Sequence, residues 1–371
     1  MKSIIYIGMD VHKKTYSLCA IYGNTGEILG ETKIEADVKL VEKFITNAKK
    51  KVDVLNVEIK AGYEAGCLGY SLYWELTQKG ISCDILAPTT MQRSSKNKVV
   101  KNDRRDAMNI ATNLANGTYK SVYVPNDHDV EVKEYIRMMN DFKLESKKVK
   151  QHINAFVLRL GYKYEGKSRW IPSHIKWLKG LEMKVMYREI LDEYLSQLDL
   201  LTTKIERFQL KLEELSLKEP YKEKIGKLRC FKGIDTTAAM ILHVEVSDFE
   251  RFPNAKAFSS FCGLTPSENS SGEKTSRQSI TKQGNSTIRT TLVEVAQVLV
   301  RGKQGVKGKR LKSKQKGEEV KVIDYADKAV LRLQKKYHRM IQKGVHKNKV
   351  ITAIARELAC FVWGIETGNI A

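Results

Sequence analysis

Residues 3–10 read SIIYIGMD, an apolar run rich in β-branched side chains that ends on the carboxylate of Asp10. Such a run predicts a buried β-strand, with the acid placed where the strand reaches the edge of its sheet. Similar runs at 17–22 and 28–34 are separated by the turn 23–26. The chain is therefore expected to open with an antiparallel meander of β-strands.

Helices and strands alternate after this meander. Helical spacing of apolar residues at 38–50 and 68–78 alternates with strand-like runs at 54–59 and 81–86. This β-β-β-α-β-α-β order predicts an α/β domain with a mixed sheet, which we place at residues 1–125.

A helical segment is expected next, at residues 126–219. Its clearest part carries apolar residues spaced alternately by three and four, namely Leu191, Tyr194, Leu198, Leu201, Ile205, Phe208, Leu212 and Leu215. This spacing is typical of a coiled-coil seam. A seam between two subunits and core packing within one subunit are both compatible with it.

The remaining residues, 220–371, are predicted to form a mainly helical domain, which ends in helices at 325–343 and 349–363. Residues 228–246 resemble a helix-hairpin-helix motif, in which the turn and the next helix N-terminus face a phosphate. Two ordinary helices joined by Gly233 would give the same pattern, so both interpretations stay open.

Two polar stretches interrupt this domain. Residues 263–285 form a 23-residue stretch rich in Ser, Thr, Gly and Lys, and a loop of that length inside a domain is usually functional. Residues 301–317 contain eight basic residues, four glycines and no acid. This composition predicts a mobile arm that contacts a nucleic-acid backbone through Lys307, Lys309 and Arg310, with a solvated linker as the alternative.

The overall composition points to a polyanionic partner. The chain has 65 Lys and Arg against 43 Asp and Glu, a net charge of +22, which favours nucleic acid. Its six cysteines include no C-x-x-C pair, so neither a zinc site nor a disulfide framework is indicated. No apolar stretch approaches the roughly 18 residues of a membrane span, and no signal peptide is apparent, so a cytoplasmic protein without membrane contact is expected.

Four acids stand out in so basic a chain: Asp10, Glu64, Asp103 and Asp106. Asp103 and Asp106 lie three residues apart on a predicted helix, and Glu64 follows a strand closely enough to sit beside Asp10. Carboxylates that converge from distant elements can hold two divalent cations, which activate an oxygen nucleophile and stabilise a leaving oxygen. The acids therefore predict a phosphodiester site that binds Mg²⁺, with Mn²⁺ as a substitute.

Five short motifs carry a resemblance to a known family: IGMDVHKKT, YEAGCLGYSLYWEL, NDRRDA, GLTPSENSSGEK and ITKQGNSTIR. Together they resemble the DEDD recombinases of one bacterial insertion-sequence family, which also includes the Piv-type DNA invertases, and the match covers residues 4–300. The resemblance implies a RuvC-like domain of ribonuclease-H fold, a coiled coil and a C-terminal transposase domain with a nucleophilic serine.

By this resemblance the four acids take the family's acidic positions, and the serine falls within Asn269–Gly272. Ser271 is favoured because it adjoins the glycine, and Ser270 remains the other candidate. The chain departs from the family pattern at Cys67-Leu68 and at Asp235, which stands where a glycine is usual. Four basic residues near the serine are expected to meet phosphates: Lys274, Arg277, Lys282 and Arg289, with Arg289 the first choice because its guanidinium fits phosphate oxygens.

The resemblance also implies several partners. These are target and donor DNA, a structured bridge RNA that guides the enzyme, and further copies of the chain in a dimer or tetramer at the bacterial nucleoid. In such an assembly the serine loop of one subunit docks on the carboxylates of another. A RuvC-like junction nuclease that forms no covalent intermediate is the main alternative function, and a non-enzymatic nucleic-acid-binding protein is a further one.

Overall fold

The structure is a computed structural model that describes residues 3–52, 56–66, 68–92, 102–268 and 277–370. It divides into two compact units, Met1–Val124 and Pro125–Ala371. Among the described residues, no helix combines the length and the apolar character that crossing a membrane requires.

The first unit is a mixed α/β domain. Its strands are β1 (Ser3–Val11), β2 (Thr15–Tyr22), β3 (Ile28–Glu35), β4 (Val57–Glu64) and β5 (Ser82–Leu86), and its helices are α1 (Val38–Lys49), α2 (Ser71–Gln78) and α3 (Asp103–Asn116). The sheet order is β3-β2-β1-β4-β5, antiparallel from β1 to β3 and parallel from β1 through β4 to β5. The predicted mixed sheet is confirmed, and it is compatible with a ribonuclease-H-like fold.

Helices cover both faces of this sheet. Ile5, Ile7 and Met9 of β1 are fully buried in one hydrophobic cluster with residues of α1 and α2. Successive side chains of a strand point to opposite faces, so Gly8 and Asp10 lie on the other face. On that face Ala107 and Ala111 of α3 are fully buried.

Gly8 sets the close approach of α3 to the sheet. A Cβ atom at position 8 would lie 2.2 Å from the carbonyl oxygen of Ala107 and 2.2 Å from the amide nitrogen of Ala111. Because both atoms belong to the backbone, no side-chain rotation can make room for it. The glycine thus fixes how near the helix comes to β1.

We expect Gly8→Ala to lower the free energy of unfolding by about 3 kcal/mol, because the added methyl group must push α3 away from the sheet. Thermal unfolding of the full chain measures this change. Gly30→Ala is the matched control, since its Cβ would meet only ordinary contacts, the nearest 3.6 Å away at Phe44. Equal loss of stability in both variants would contradict this account of the packing.

The strand that leads to Glu64 extends further toward its C-terminal end than the sequence predicts. The predicted strand 54–59 ended well before this acid, whereas β4 runs to Glu64 itself and residues 53–55 lie outside the described part. The strand continues through Gly62, where a Cβ would lie 2.8 Å from Leu86 and 3.0 Å from Leu114. Gly62 thus lies inside the strand, where it packs closely against these two leucines.

The second unit is mainly helical. Its helices are α4 (Asp127–Arg159), α5 (Pro172–Lys179), α6 (Val185–Ser216), α7 (Lys222–Arg229), α8 (Thr236–Val244), α9 (Ala255–Phe261), α10 (Ser286–Leu299), α11 (Lys309–Gln315), α12 (Val320–Gln342) and α13 (Lys347–Glu366). A two-stranded sheet is formed by β6 (Pro266–Glu268) and β7 (Arg277–Ile280).

The predicted seam of α6 packs against α4 of the same chain. Phe208 makes an edge contact with Phe142, with ring centroids 5.2 Å apart, and Leu191 and Leu198 are buried in a cluster with Ile153 of α4. Helices α4 and α6 therefore form an antiparallel hairpin. This is the packing within one subunit that the sequence left open beside a seam between subunits.

The basic stretch 301–317 is folded onto the second unit, so the prediction of a mobile arm is wrong. Gln315 of α11 is buried and donates a hydrogen bond to the carbonyl oxygen of Cys230 at 3.0 Å. The buried amide of Gln334 accepts from the Gly305 N–H at 3.0 Å. These neutral side chains anchor the segment.

Its basic residues have different surroundings. Lys307 is ion-paired with Asp327 and donates to Gln315 at 2.9 Å. Lys309 and Arg310 are exposed at the start of α11.

Candidate functional site

The first turn of α3 lies over the end of β1. Asn102 caps the helix by accepting a hydrogen bond from the Arg104 N–H at 3.0 Å, so the helix begins at Asp103. The contact between Gly8 and Ala107 sets the register of helix on strand. Two residues beyond Gly8 along β1 comes Asp10 on the same face, and one helical turn before Ala107 comes Asp103.

This packing brings two of the predicted acids together. One ligand atom each of Asp10, His12 and Asp103 lie within 4.8 Å of one another, which is the potential metal-binding group found among the described residues. The Nε2 atom of His12 is 3.3 Å from Asp10 Oδ2 and 3.9 Å from Asp103 Oδ1. Lys33 contacts the other oxygen of Asp103, with Nζ 2.9 Å from Oδ2.

The other two acids lie beside this group. Met9 of β1 pairs with Tyr63 of β4, so the next residues along the parallel strands are Asp10 and Glu64, which are both partly buried. Asp106, in the first turn of α3, is close enough that its charge raises the pKa of Asp10. The carboxylates of Glu64 and Asp106 lie outside the group within 4.8 Å.

The environment shifts the pKa of two of these acids in opposite directions. Burial raises the pKa of Asp10; His12 opposes this shift, and the charges of Asp103 and Asp106 add to it. The hydrogen bond from Lys33 lowers the pKa of Asp103, which is partly exposed. Asp10 is thus a carboxylate whose charge is poorly compensated by the protein, and a nearby cation would compensate it.

His12 and Lys33 lie at the acidic site, but neither is among the site residues predicted from the sequence. His12 stands two residues after Asp10 in the quoted motif, and this spacing was a usable signal because alternate residues of an extended chain face the same side. Lys33 had no such signal. It reaches Asp103 because Asp10 pairs with Ser17 and Ser17 pairs with Lys33 across the meander, and the sequence does not reveal that register.

The second predicted site is the serine loop, and the residues at its two ends pair with each other. The tip at residues 269–276, with Ser270, Ser271 and Lys274, lies outside the described residues, as does the side chain of Arg277. Strands β6 and β7 pair below the tip, and Lys282 N donates to the carbonyl of Gly263 at 3.2 Å. The predicted loop therefore has a hairpin at its base.

Close backbone contacts hold the two ends of this hairpin together. A Cβ on Gly263 would lie 2.2 Å from the carbonyl oxygen of Gln283, and a Cβ on Gly284 would lie 2.0 Å from that of Phe261. Both glycines have positive φ, +66° and +90°. Arg289 adds a hydrogen bond from Nη1 to the carbonyl of Cys262 at 3.1 Å.

A buried acid anchors the end of the loop to α4. The carboxylate of Glu245 accepts from Asn285 Nδ2 at 2.7 Å and pairs with Lys133 Nζ at 3.1 Å. Asn285 also caps α10 by accepting from the Ile288 N–H at 3.0 Å. The end of the loop is thus anchored to the helical unit. Arg289, the residue favoured for phosphate contact, uses one of its N–H donors to bond a backbone carbonyl.

The helix-hairpin-helix-like region uses its helix N-terminus internally. Asp235 caps α8 by accepting from the Ala238 N–H at 2.9 Å. At Gly233 a Cβ would lie 2.9 Å from the carbonyl oxygen of Val295, so the turn packs against α10. This arrangement favours two helices joined by a glycine, and the phosphate contact stays a prediction.

Comparison with known proteins shows the family. A family model for DEDD transposases of the IS110 type matches residues 7–161, and one described as the transposase of the IS116/IS110/IS902 family matches residues 226–310. The transposase for insertion sequence element IS1533 of Leptospira borgpetersenii is 32% identical over 92% of this chain and 98% of its own length. The chain belongs to the IS110 family of DEDD transposases.

Two more relatives agree with this assignment. A putative transposase of Sinorhizobium fredii, y4qE, is 31% identical over 97% of this chain and 88% of its own length. The transposase for IS1111A of Coxiella burnetii is 22% identical over 81% of this chain and 79% of its own. This IS110-family transposase is accordingly an enzyme that acts on DNA.

The chemistry of the acidic cluster fits the metal dependence general to DEDD transposase domains. Carboxylate oxygens are the ligands that Mg²⁺ and Mn²⁺ prefer, and one carboxylate oxygen of Asp10 lies within 4.8 Å of one of Asp103. In the described structure the positive charges there are those of Lys33 and, when protonated, His12. A divalent cation would take over this charge compensation.

Proposed function

We propose that this transposase cuts and rejoins DNA strands through a serine nucleophile, Ser271 or Ser270, together with Mg²⁺ held by Asp10, Glu64, Asp103 and Asp106. The observation that carries the proposal is the convergence of Asp10 and Asp103 within the group of ligand atoms less than 4.8 Å apart. Metal bound there would stabilise negative charge on the attacking and leaving oxygens.

The proposed reaction consists of two exchanges of bonds at phosphorus, both of which involve the serine. The serine oxygen forms a bond to phosphorus as the bond from phosphorus to the DNA oxygen breaks, and the departing DNA hydroxyl receives a proton. Attack by a hydroxyl of the next DNA strand then breaks the phosphoserine bond and returns a proton to the serine. Because each step exchanges one phosphodiester for another, rejoining needs no ATP.

The anchored base of the serine loop supports this assignment. A nucleophile must be held in a reactive position, and misplacement by about 1 Å can cost on the order of 10²-fold in rate. The contact between Glu245 and Asn285, at 2.7 Å, fixes one end of the loop. Lys282, exposed beside the hairpin with φ +55°, and Lys309 and Arg310 are proposed to meet DNA phosphates.

We also propose that the enzyme works as a dimer or tetramer guided by a bridge RNA that pairs with target and donor DNA. The family resemblance supports both points. The net charge of +22 is compatible with a second polyanion beside DNA.

Removal of divalent metal tests the proposal. Full-length transposase, supplied with bridge RNA transcribed from its element and with donor and target DNA, should yield strand-exchange products in Mg²⁺ and none in EDTA. Added Mg²⁺ or Mn²⁺ should restore the products, and Ca²⁺ serves as a control for charge alone. Undiminished exchange in EDTA would contradict a metal-assisted mechanism.

The alternative is a RuvC-like nuclease that hydrolyses DNA junctions with water. The same acids would serve it, and the serine loop would then only contact DNA. The two functions differ in one observable, because only the serine mechanism leaves DNA covalently attached to the protein.

A further inference from the structure

The connection between α4 and α6, residues 160–184, is a small folded module at the end of the helical hairpin. Helix α5 lies within it, and His174 and Leu178 of this helix are only 1% exposed. His174 Nδ1 accepts a hydrogen bond from the Trp170 N–H at 3.2 Å, and the hydroxyls of Tyr164 and Ser173 are 3.1 Å apart. Side-chain bonds as well as apolar packing thus define the shape of the module.

Aromatic rings are concentrated there. The ring of His174 lies with its centroid 4.6 Å from Tyr164, 5.0 Å from Trp170 and 5.6 Å from Trp177, and it is stacked on Trp177 with an interplanar angle of 20°. Tyr164 and Trp177 also contact each other at 5.2 Å. Part of this cluster remains accessible, because Tyr164 and Trp177 are only partly buried.

A cavity of about 550 Å³ separates these rings from the last turns of α4. Its lining residues include Tyr164, His174, Trp177 and Asn154 together with the basic residues Lys163 and Arg169. The volume lies within the roughly 300–1,000 Å³ typical of small-ligand sites. Aromatic, amide and cationic groups therefore border one space.

The charges around the cavity select an anionic ligand. Residues 159–184 contain seven Lys and Arg against two Glu, and both Lys163 and Arg169 are exposed. Burial and then the charge of Arg169 lower the pKa of His174, which favours its neutral ring. Since Nδ1 accepts a hydrogen bond, the neutral ring carries its proton on Nε2 and offers a donor there.

We infer that this cavity binds an unpaired nucleotide of a nucleic acid, with the base against the rings of Tyr164 and Trp177 and the phosphate at Lys163 and Arg169. Aromatic faces bind bases of any sequence, an amide can bond a base edge, and Arg or Lys neutralises the phosphate. A paired base would not fit, because its faces are covered within the duplex.

The module lies mostly between the ranges that the two family models match, residues 7–161 and 226–310. The inference needs neither the serine nucleophile nor the metal site. It gives the transposase a contact for a single-stranded segment at the end of its helical hairpin, and DNA and RNA share the chemistry that this contact recognises.

Photocrosslinking of the full-length transposase tests the inference. Two unstructured oligonucleotides are used in parallel, a DNA with one 4-thiothymidine and an RNA with one 4-thiouridine, and crosslinked peptides are identified by mass spectrometry. We expect a crosslink within residues 160–184 for at least one of them, and the oligonucleotide that gives it identifies the source of the nucleotide. Annealing the complementary strand should abolish it.

Matched variants separate the cavity from general charge. Lys163→Ala/Arg169→Ala should lower the crosslink yield at this module by about tenfold, because the phosphate contact is lost. Lys167→Ala/Lys176→Ala removes the same charge from exposed residues that do not line the cavity, and should change the yield less than about twofold. Both pairs are exposed, so thermal unfolding should be unchanged.

Three results would overturn the inference. The first is the absence of crosslinks within residues 160–184 with either oligonucleotide. The second is an equal loss of yield in the two double variants, which would mean that the module attracts nucleic acid by net charge alone. The third is an undiminished crosslink with the duplex.

Discussion

Asp103→Asn is expected to lower the rate of DNA strand cleavage by on the order of 10³-fold. The substitution keeps the shape of the side chain but removes a charge from the group formed with Asp10 and His12. A metal ion in such a site contributes several kcal/mol of charge stabilisation in the transition state, and each 1.4 kcal/mol corresponds to about tenfold in rate. The measurement is the initial rate of cleavage of labelled donor DNA at saturating Mg²⁺.

Loss of stability would be too small to explain this effect. An acid in the first turn of a helix contributes about 0.3–1 kcal/mol through the helix dipole, and Asn102 retains the cap in the variant. Asp37→Asn is the matched control. Asp37 is an exposed acid that caps α1, and asparagine caps a helix equally well, so cleavage should be unchanged.

A second comparison asks whether Asp103 serves only as the partner of Lys33, which it contacts at 2.9 Å. Lys33→Met breaks this ion pair but keeps the carboxylate. It should retain much more activity than Asp103→Asn. Equal losses in the two variants would indicate a structural ion pair and would count against a role for Asp103 in binding metal.

The second large effect concerns the serine loop. Ser270→Ala/Ser271→Ala should remove the protein–DNA adduct that survives SDS, because no hydroxyl remains at either candidate position to bond phosphorus. Labelled DNA is incubated with the transposase, the proposed bridge RNA and Mg²⁺, and denaturing gels then measure the adduct. Digestion of the wild-type adduct and mass spectrometry should locate the nucleotide on the peptide that contains Asn269–Gly272.

The single variants decide between the two serines. Ser271→Ala should remove the adduct and Ser270→Ala should leave it, if the serine next to the glycine is the nucleophile. Ser267→Ala is the control, because Ser267 lies on β6 in the same hairpin, where its hydroxyl donates to the carbonyl of Ser279 at 2.9 Å. Cleavage without any adduct in the wild type would instead favour the junction nuclease.

Much of the first unit follows from local sequence. The run SIIYIGMD predicts β1 and places Asp10 near its end, because apolar and β-branched residues form buried strands. The spacing of NDRRDA predicts a helix with Asp103 and Asp106 in its first turn, and α3 begins at Asp103. Local patterns therefore located three of the four acids correctly on their elements.

The parts that failed depend on contacts between distant residues. The end of β4 was misjudged because Gly62 is required by packing against Leu86 and Leu114, and a sequence does not distinguish this from a turn glycine. Lys33 was missed because its place beside Asp103 depends on the register of three strands.

The structure of the basic segment 301–317 also depends on contacts between distant residues. Its composition is typical of a disordered arm. Composition does not show which single neutral residues make anchoring contacts. Gln315 and Gln334 anchor it through buried amide hydrogen bonds at 2.9–3.0 Å to groups that are distant in sequence. The hydrogen bonds of two glutamines thus anchor a segment whose eight basic residues predict a mobile arm.

Binding of Mn²⁺ to the full chain without nucleic acid tests whether Asp10 and Asp103 hold a divalent cation, and electron paramagnetic resonance of free Mn²⁺ measures it. We expect the wild type and Asp37→Asn to remove Mn²⁺ from solution with the same affinity. Asp10→Asn and Asp103→Asn should each bind it at least about tenfold more weakly, since a charged ligand is lost. Equal affinity of the wild type and both of these variants would contradict a metal centre built from the end of β1 and the start of α3.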